Sequence, residues 1–344
     1  MAVRGGKKAM KVCIVGAGAI GGFLGTRLAT SGAAEVSAFA RGATLSALRA
    51  HGWRLTMNGA LLTTPARASD SAAELGVQDV VFIAVKGPAL PALAPALTPL
   101  LGPDTLVVPA MNGVPWWFSG TVPALGDAPL ESVDPGGHTA KAIALPRVIG
   151  CVIHASIATS EPGLTTHRIG QGLIVGEPAG GDSDRVRRLG EMLTGAGFEV
   201  TCSARVRYDI WYKLWGNMTA NPVSALTGAT MDRILDDDLV RQFCTDAMRE
   251  AAAIGDKIGC GVDQTPADRH VITRKLGPFK TSMLQDAEAG RMIELDSIVG
   301  AAREIGQRVG VPTPTIDALF GLTRLFGRVH GLYPPAAATP RPRS

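Results

Sequence analysis

Met10-Lys-Val-Cys-Ile-Val-Gly-Ala-Gly-Ala-Ile-Gly21 joins an apolar run to three spaced glycines, and this junction decides the fold of the first half of the chain. Met10–Val15 reads as a strand, and the glycines follow it and open a helix, as a dinucleotide-binding turn requires. Gly16 would make the turn, Gly18 would let the backbone approach a pyrophosphate, and Gly21 would let helix and strand pack closely. The helix N-terminus offers free N–H groups and partial positive charge to the phosphates. Ala17, Ala19 and Ile20 complete the stretch of candidate contacts. Glycine is common here, 42 of 344 residues, so a plain tight turn between strand and helix is the competing reading.

Outward from that junction, short apolar runs alternate with helical segments as far as Pro109: Val12–Val15, Ile20–Ser31, Val36–Phe39, Thr44–Ala50, Val80–Val85, Leu90–Leu101 and Leu106–Val108. The rhythm is βαβ and predicts a mostly parallel sheet covered by helices. Trp53–Met57 and Leu61–Ala66, joined around Asn58-Gly59, read as an inserted hairpin. Residues 115–147 are rich in Pro and Gly and read as a long loop forming part of a lid, followed by strands near Val148–Ile157 and Leu173–Val175. A helix over Asp182–Ala196 then precedes a strand over Phe198–Thr201.

After Ala204 helical periodicity takes over and continues to His330. Within it, Lys213, Asn217 and Asn221 interrupt the apolar stretch Ile210-Trp-Tyr-Lys-Leu-Trp-Gly-Asn-Met-Thr-Ala-Asn-Pro-Val223. Steps of four put one amine and two amides on one helix face, where a core-facing stripe is normally apolar. Pro222 removes a backbone hydrogen bond and predicts a kink directly after Asn221. Ligand binding fits this arrangement; snorkelling of Lys213 and packing of the two amides is the alternative.

The expected organisation is therefore an α/β Rossmann-type N-terminal domain over residues 10–204, an all-α C-terminal domain over 205–333 and a cleft between them. Residues 1–9 read as a loose extension and 334–344 as a disordered tail. The formal charge of +4 is small and unevenly placed, with Arg4, Lys7, Lys8 and Lys11 at the start and Arg341 and Arg343 at the end. A near-neutral body with 5% aromatics argues against nucleic acid as a partner. Five widely spaced cysteines without a CxxC pair fit a reducing cytoplasm. The six histidines form no metal-ligand spacing, and neither a signal peptide nor a membrane span is legible.

The choice of nucleotide turns on the end of the second strand. The NAD form places an acid there to bond the ribose hydroxyls. Glu35 comes too early, and Arg41 stands where the acid would be. A planar guanidinium suits a 2′-phosphate, so NADP (NADPH) is the expected cofactor; a solvated surface arginine is the alternative. Lys86 and Asn112-Gly113 also follow strands, at the ends where open α/β sheets bind ligands. Further on, Ser282 could cap a helix and Glu294 could be a first-turn acid.

Taken together, Gly16–Gly21, Lys86, Asn112-Gly113, Trp211-Tyr-Lys213-Leu with Asn217 and Asn221-Pro222, and Ser282-Met-Leu-Gln-Asp286 with Gly290 and Glu294-Leu-Asp296 resemble the ketopantoate reductases (2-dehydropantoate 2-reductases). The matching segments span nearly the whole chain. The resemblance implies NADPH-dependent reduction of a branched 2-oxo acid to its 2-hydroxy acid, in the route to pantothenate and coenzyme A. It implies that Lys213 is the catalytic acid and that Asn217, Asn221 and Ser282 hold the substrate. It further implies that Arg41 and Lys86 contact the 2′-phosphate end of the cofactor, that Asn112 touches cofactor and substrate, and that Ala155 and Glu294 border the nicotinamide ribose. The chemistry is consistent, because hydride arriving at a ketone carbon creates an alkoxide that a positioned ammonium can stabilise and protonate.

Two features depart from the family pattern. Met231 stands where a further substrate-side asparagine is often found, and the insert from Pro115 through Pro146 is long. Trp116 and Trp117 within it either line a modified pocket or anchor the loop as buried aromatics. The same mechanism on another branched or aromatic 2-oxo acid, and a non-catalytic NADPH sensor, are the alternative readings. Apolar residues near the C-terminus, Leu319, Phe320, Leu322, Leu325 and Phe326, could close a homodimer or simply pack the core.

Overall fold

The computed structural model describes residues 9–275 and 277–335. Most of the expected N-terminal extension and of the expected tail, including Arg4, Lys7, Lys8, Arg341 and Arg343, therefore lies outside the described residues. The chain forms two compact units. The first runs to Thr121 and resumes over Asp134–Ile210; the second comprises Val122–Val133 and the chain from Trp211 onward. The units thus divide at Ile210/Trp211 rather than at Ala204/Arg205, and they share the 115–146 insert between them.

In the first unit, β1 (Met10–Val15), α1 (Ala19–Ser31), β2 (Ala34–Phe39) and α2 (Gly42–His51) give the expected alternation. β3 (Trp53–Met57) and β4 (Ala60–Thr64) form the hairpin, with Asn58 and Gly59 at φ 51° and 78° in its turn. β5 (Arg67–Ser69), α3 (Ala72–Leu75), β6 (Gln78–Ile83), α4 (Leu90–Leu93) and β7 (Leu101–Pro109) follow. The helix expected over Leu90–Leu101 lasts only one turn before 3₁₀ geometry replaces it over Ala94–Leu100. Pro91, Pro95 and Pro99 recur at every turn and deny the helix its backbone donors. β5, β2, β1, β6 and β7 lie side by side in that order, every neighbouring pair parallel, with Val12, Ile14, Val80, Phe82 and Val108 in the core between the layers.

A second sheet was not legible. The β3–β4 hairpin joins β8 (Gly150–Glu161), β9 (Leu164–Gly176) and β10 (Glu199–Ser203), because β3 pairs in parallel with β9 over Arg54–Thr56. α1 packs against both sheets through small residues. A Cβ on Gly21 would stand 3.0 Å from Ile14 in β1, and one on Gly25 would stand 2.4 Å from the Trp53 ring in β3. Between β9 and β10 runs α6 (Asp184–Gly195), capped by Ser183. Its Arg185 forks onto Glu177 at the end of β9, Nε to Oε1 at 2.7 Å, and holds the Glu177 carboxyl below the usual carboxylate range.

The insert is packed rather than a free flap. Trp116, Trp117 and Phe118 are buried, which favours anchoring over pocket lining. Buried Asp134 accepts from the amides of Thr139 and Ala140 at the start of a short helix, α5 (His138–Ala142). The intervening Val122–Val133 belongs with the helical unit because Glu304 accepts from the amides of Glu131 and Ser132 at 3.0 and 2.8 Å, and Arg308 donates to the carbonyls of Ala128 and Pro129.

Helix α7 (Val206–Thr227) leads into α8 (Met231–Asp236), α9 (Asp238–Lys257), α10 (Pro266–Arg274), α11 (Ser282–Glu288), α12 (Ala301–Arg308) and α13 (Pro314–Val329). Fully buried Trp211 and Trp215 fix α7 to α9 by donating their indole N–H groups to the carbonyls of Ala251 and Met248. The apolar residues of α13 split: Leu319 is buried, Phe320 and Phe326 are partly buried, and Leu322 and Leu325 are exposed.

Candidate active site

The two groups of candidate residues lie mostly in different units. In the first, Gly16 adopts φ 88°, and its N–H donates to Phe39 O at 2.9 Å, tying the end of β1 to that of β2. A Cβ on Gly21 would lie 1.9 Å from Gly16 O, so only glycine lets α1 start this close to the turn. Gly18 differs: a Cβ there would meet no atom within 4 Å. It sits at the N-cap of α1 with no side-chain cap, and the first turn holds no acid. The first amides of a helix have no partner within it, and an uncapped N-terminus beside open space suits an anionic phosphate.

Arg41 follows β2 at the N-cap of α2, exposed, with its guanidinium carbon 5.6 Å from the Phe39 ring centroid. Lys86 follows β6, partly buried, at the start of a 3₁₀ turn, and Asn112 follows β7 just before Gly113 at φ 82°. Gly16, Arg41, Lys86 and Asn112 therefore line the carboxyl edge of four adjacent strands, β2, β1, β6 and β7. The point where the strand order reverses, beside β1, is where such sheets bind ligands. Ala155 stands apart from this edge, in β8 of the other sheet, where the pairing with β9 shifts register between His154 and Ser156.

In the second unit the polar stripe of α7 is present, but it is not straight. A step of four overshoots one helical turn by about 40°. The stripe accordingly drifts from partly buried Lys213 and Asn217 to Asn221, which is 5% exposed. Pro222 lies inside α7, which continues as helix past it to Thr227. Asn221 Nδ2 donates across to Ser282 Oγ at 3.5 Å. Ser282 is not the cap of α11; Thr281 is, accepting from Leu284 N at 3.2 Å, and this leaves the Ser282 hydroxyl exposed in the first turn. Asn221 and Ser282, 61 residues apart, are thereby brought together.

Glu294 lies before, not within, the next helical segment, which opens as a π-type turn over Asp296–Gly300. The sequence reading missed the contact beside it: Tyr333 Oη donates to Asp296 Oδ1 at 2.7 Å. Met231 is buried against Val223, Ile234, Leu235, Cys244 and Leu319, and its amide donates to Phe279 O at 3.0 Å. Among the described residues no group of three His, Cys, Asp or Glu is placed to hold a metal ion, and no helix is long and apolar enough to cross a membrane.

Comparison with known proteins finds relatives along nearly the whole chain. The family model described as Ketopantoate reductase PanE/ApbA matches residues 12–180, and its C-terminal counterpart matches residues 205–326. The 2-dehydropantoate 2-reductase of Mesorhizobium japonicum is 43% identical over 329 residues, covering 94% of this chain and all of that protein. A crystal structure described as a candidate ketopantoate reductase from Ralstonia solanacearum superposes with a TM-score of 0.91 at 53% identity, over 95% of this chain and 100% of the other. The 2-dehydropantoate 2-reductase of Methylococcus capsulatus follows at TM-score 0.79 and 27% identity, over 93% and 97%. With a parallel-sheet nucleotide fold, an all-helical second unit and full-length relatives of this kind, the chain belongs to the ketopantoate reductase family.

Proposed function

We propose that this protein reduces 2-dehydropantoate (ketopantoate) to pantoate with NADPH, Lys213 serving as the proton donor. The observation that carries this reading is the α7 stripe: an amine followed by two amides, the last of them held to a serine hydroxyl from α11. Amide and hydroxyl groups of this kind can hold the carboxylate and hydroxyl of a branched 2-oxo acid by hydrogen bonds.

The uncapped N-terminus of α1 and the open space at Gly18 fit a pyrophosphate. Arg41, at the end of β2 where an NAD-binding chain carries an acid, supports preference for a 2′-phosphate. Lys86 would add charge at the same end, Asn112 would touch cofactor and substrate, and Ala155 and Glu294 would border the nicotinamide ribose. When bound, the nicotinamide supplies the hydride. The Lys213 ammonium would stabilise the charge that develops on the carbonyl oxygen and hand over a proton from Nζ, while Asn217, Asn221 and Ser282 fix the orientation.

Methionine at position 231, buried among apolar side chains, favours a second reading in which another branched or aromatic 2-oxo acid is the substrate. The test is consumption of NADPH by purified protein with ketopantoate, run beside pyruvate, 2-oxoisovalerate and phenylpyruvate. Turnover with ketopantoate alone supports the reading, turnover only with another acid moves the specificity, and none despite NADPH binding refutes reduction of these substrates.

A further inference from the structure

Glu294 ends an irregular stretch, Arg291–Glu294, between α11 and the π-type turn. A stretch without a hydrogen-bond ladder of its own must be held by other parts of the chain. Arg291 is tied back to α11, its amide donating to Asp286 O and its Nε to Asp286 Oδ1, both at 2.9 Å, and Ile293 is held from just beyond α13. The amide of Ile293 donates to the carbonyl of Leu332 at 2.9 Å, and the hydroxyl of Tyr333 donates to Asp296 Oδ1 at 2.7 Å. One two-residue segment therefore grips the chain on both sides of Glu294.

The grip depends on close approach. Leu332 N returns to Gly327 O at 2.7 Å. A Cβ on Gly327 would stand 2.7 Å from Tyr333 Cβ and 3.2 Å from Ile293 Cδ1, so a glycine in α13 makes room for both partners. Ile293 and Leu332 are 1% and 4% exposed, which shields the bond between them from water. Asp296 is partly buried, and burial pushes its carboxyl up. A phenol is a donor at neutral pH in any case, and burial first, then the neighbouring carboxyl, push the Tyr333 phenol further up.

We propose that Tyr333 is a positioning residue: with Leu332 it forms a strap that fixes Glu294 for contact with the nicotinamide ribose. The proposal rests on the NADPH-dependent reductase reading above. Its test uses the full chain as wild type, Tyr333→Phe, Glu294→Ala and the double variant, with NADPH affinity by fluorescence titration and hydrogen exchange at the Ile293 amide. Tyr333→Phe is expected to weaken NADPH binding about tenfold, the loss of one hydrogen bond to a charged group, and to speed Ile293 exchange. In the Glu294→Ala background the same change adds no further loss, because Tyr333 acts through Glu294.

Equal losses in both backgrounds would show a role in general stability and overturn the proposal, as would unchanged Ile293 exchange. Wild-type protein that binds NADPH while Tyr333→Phe binds it equally well overturns the strap alone; wild-type protein that binds no NADPH overturns the reductase reading and the strap's role with it. Asp296→Asn keeps an acceptor oxygen and is expected to stay within roughly threefold of wild type, whereas Asp296→Leu repeats the tenfold loss. This second pair decides the matter even if Tyr333→Phe does not fold.

Discussion

Replacing Gly18 with alanine separates a nucleotide site from a merely tight turn. Gly18 has φ −78°, a value alanine adopts freely, and its added Cβ meets no protein atom within 4 Å. Its ψ of −151° lies just beyond the ordinary extended range, so mild strain offsets the entropy gained from a stiffer unfolded chain and the stability of Gly18→Ala should stay within about 1 kcal/mol of wild type. The methyl group instead occupies the space in front of the α1 amides that a pyrophosphate needs. Overpacking against a ligand that cannot move aside costs about 1–3 kcal/mol, or roughly a ten- to hundredfold rise in Kd.

Gly21→Ala is the contrasting perturbation. Its Cβ would sit 1.9 Å from a backbone oxygen of the turn itself, so the start of the helix would have to move by about 1 Å to regain contact distance. Stability and binding should fall together. Isothermal titration with NADPH, paired with urea unfolding, reads both effects. Wild-type affinity in Gly18→Ala would refute the reasoning and return the glycines to the role of a tight turn.

Three further outcomes are expected. Lys213→Ala should bind NADPH normally and lose about 100- to 10,000-fold in kcat; a wild-type rate in stopped-flow or steady-state assays rules Lys213 out as the acid. Arg41→Ala should lose most of its preference for NADPH over NADH, about tenfold for one charge-assisted contact, and an unchanged kcat/KM ratio between the two nucleotides would contradict that role. Glu177→Gln removes a carboxylate whose pKa lies below its unfolded value, so the contribution is present above about pH 4.5 and lost as pH falls through the folded value. Urea midpoints should show the variant about 1–3 kcal/mol less stable at pH 7, with the gap closing in acid; a gap that persists at low pH would assign the loss to packing instead.

Local signals carried much of this structure. The strand Met10–Val15 needed only an apolar run and the glycines after it, and the hairpin needed only Asn58-Gly59, where both residues have positive φ. The Lys213, Asn217 and Asn221 stripe was legible because helical spacing alone puts them together. What could not be read depended on partners far along the chain. The second sheet exists because Arg54–Thr56 pairs with Leu164–Thr166, and nothing in either segment names the other. Which of two adjacent hydroxyls caps α11 depends on where the helix starts, and that start left Ser282 for Asn221. Tyr333 reaches Asp296 across 37 residues, close to where the sequence suggested a tail.

The membership of Val122–Val133 in the helical unit has a consequence for biosynthesis. These residues leave the ribosome long before Glu304, the carboxylate that accepts the Ser132 amide, which is 172 residues further on. Until then, this part of the insert lacks the side chain that satisfies its backbone donors, while the parallel sheet before it can already close. Such a long interval between a segment and its partner slows folding and leaves the segment open to proteases and chaperones. It also means that no single cut yields an intact helical unit: a fragment beginning at Trp211 leaves Glu304 and Arg308 without the backbone they bind.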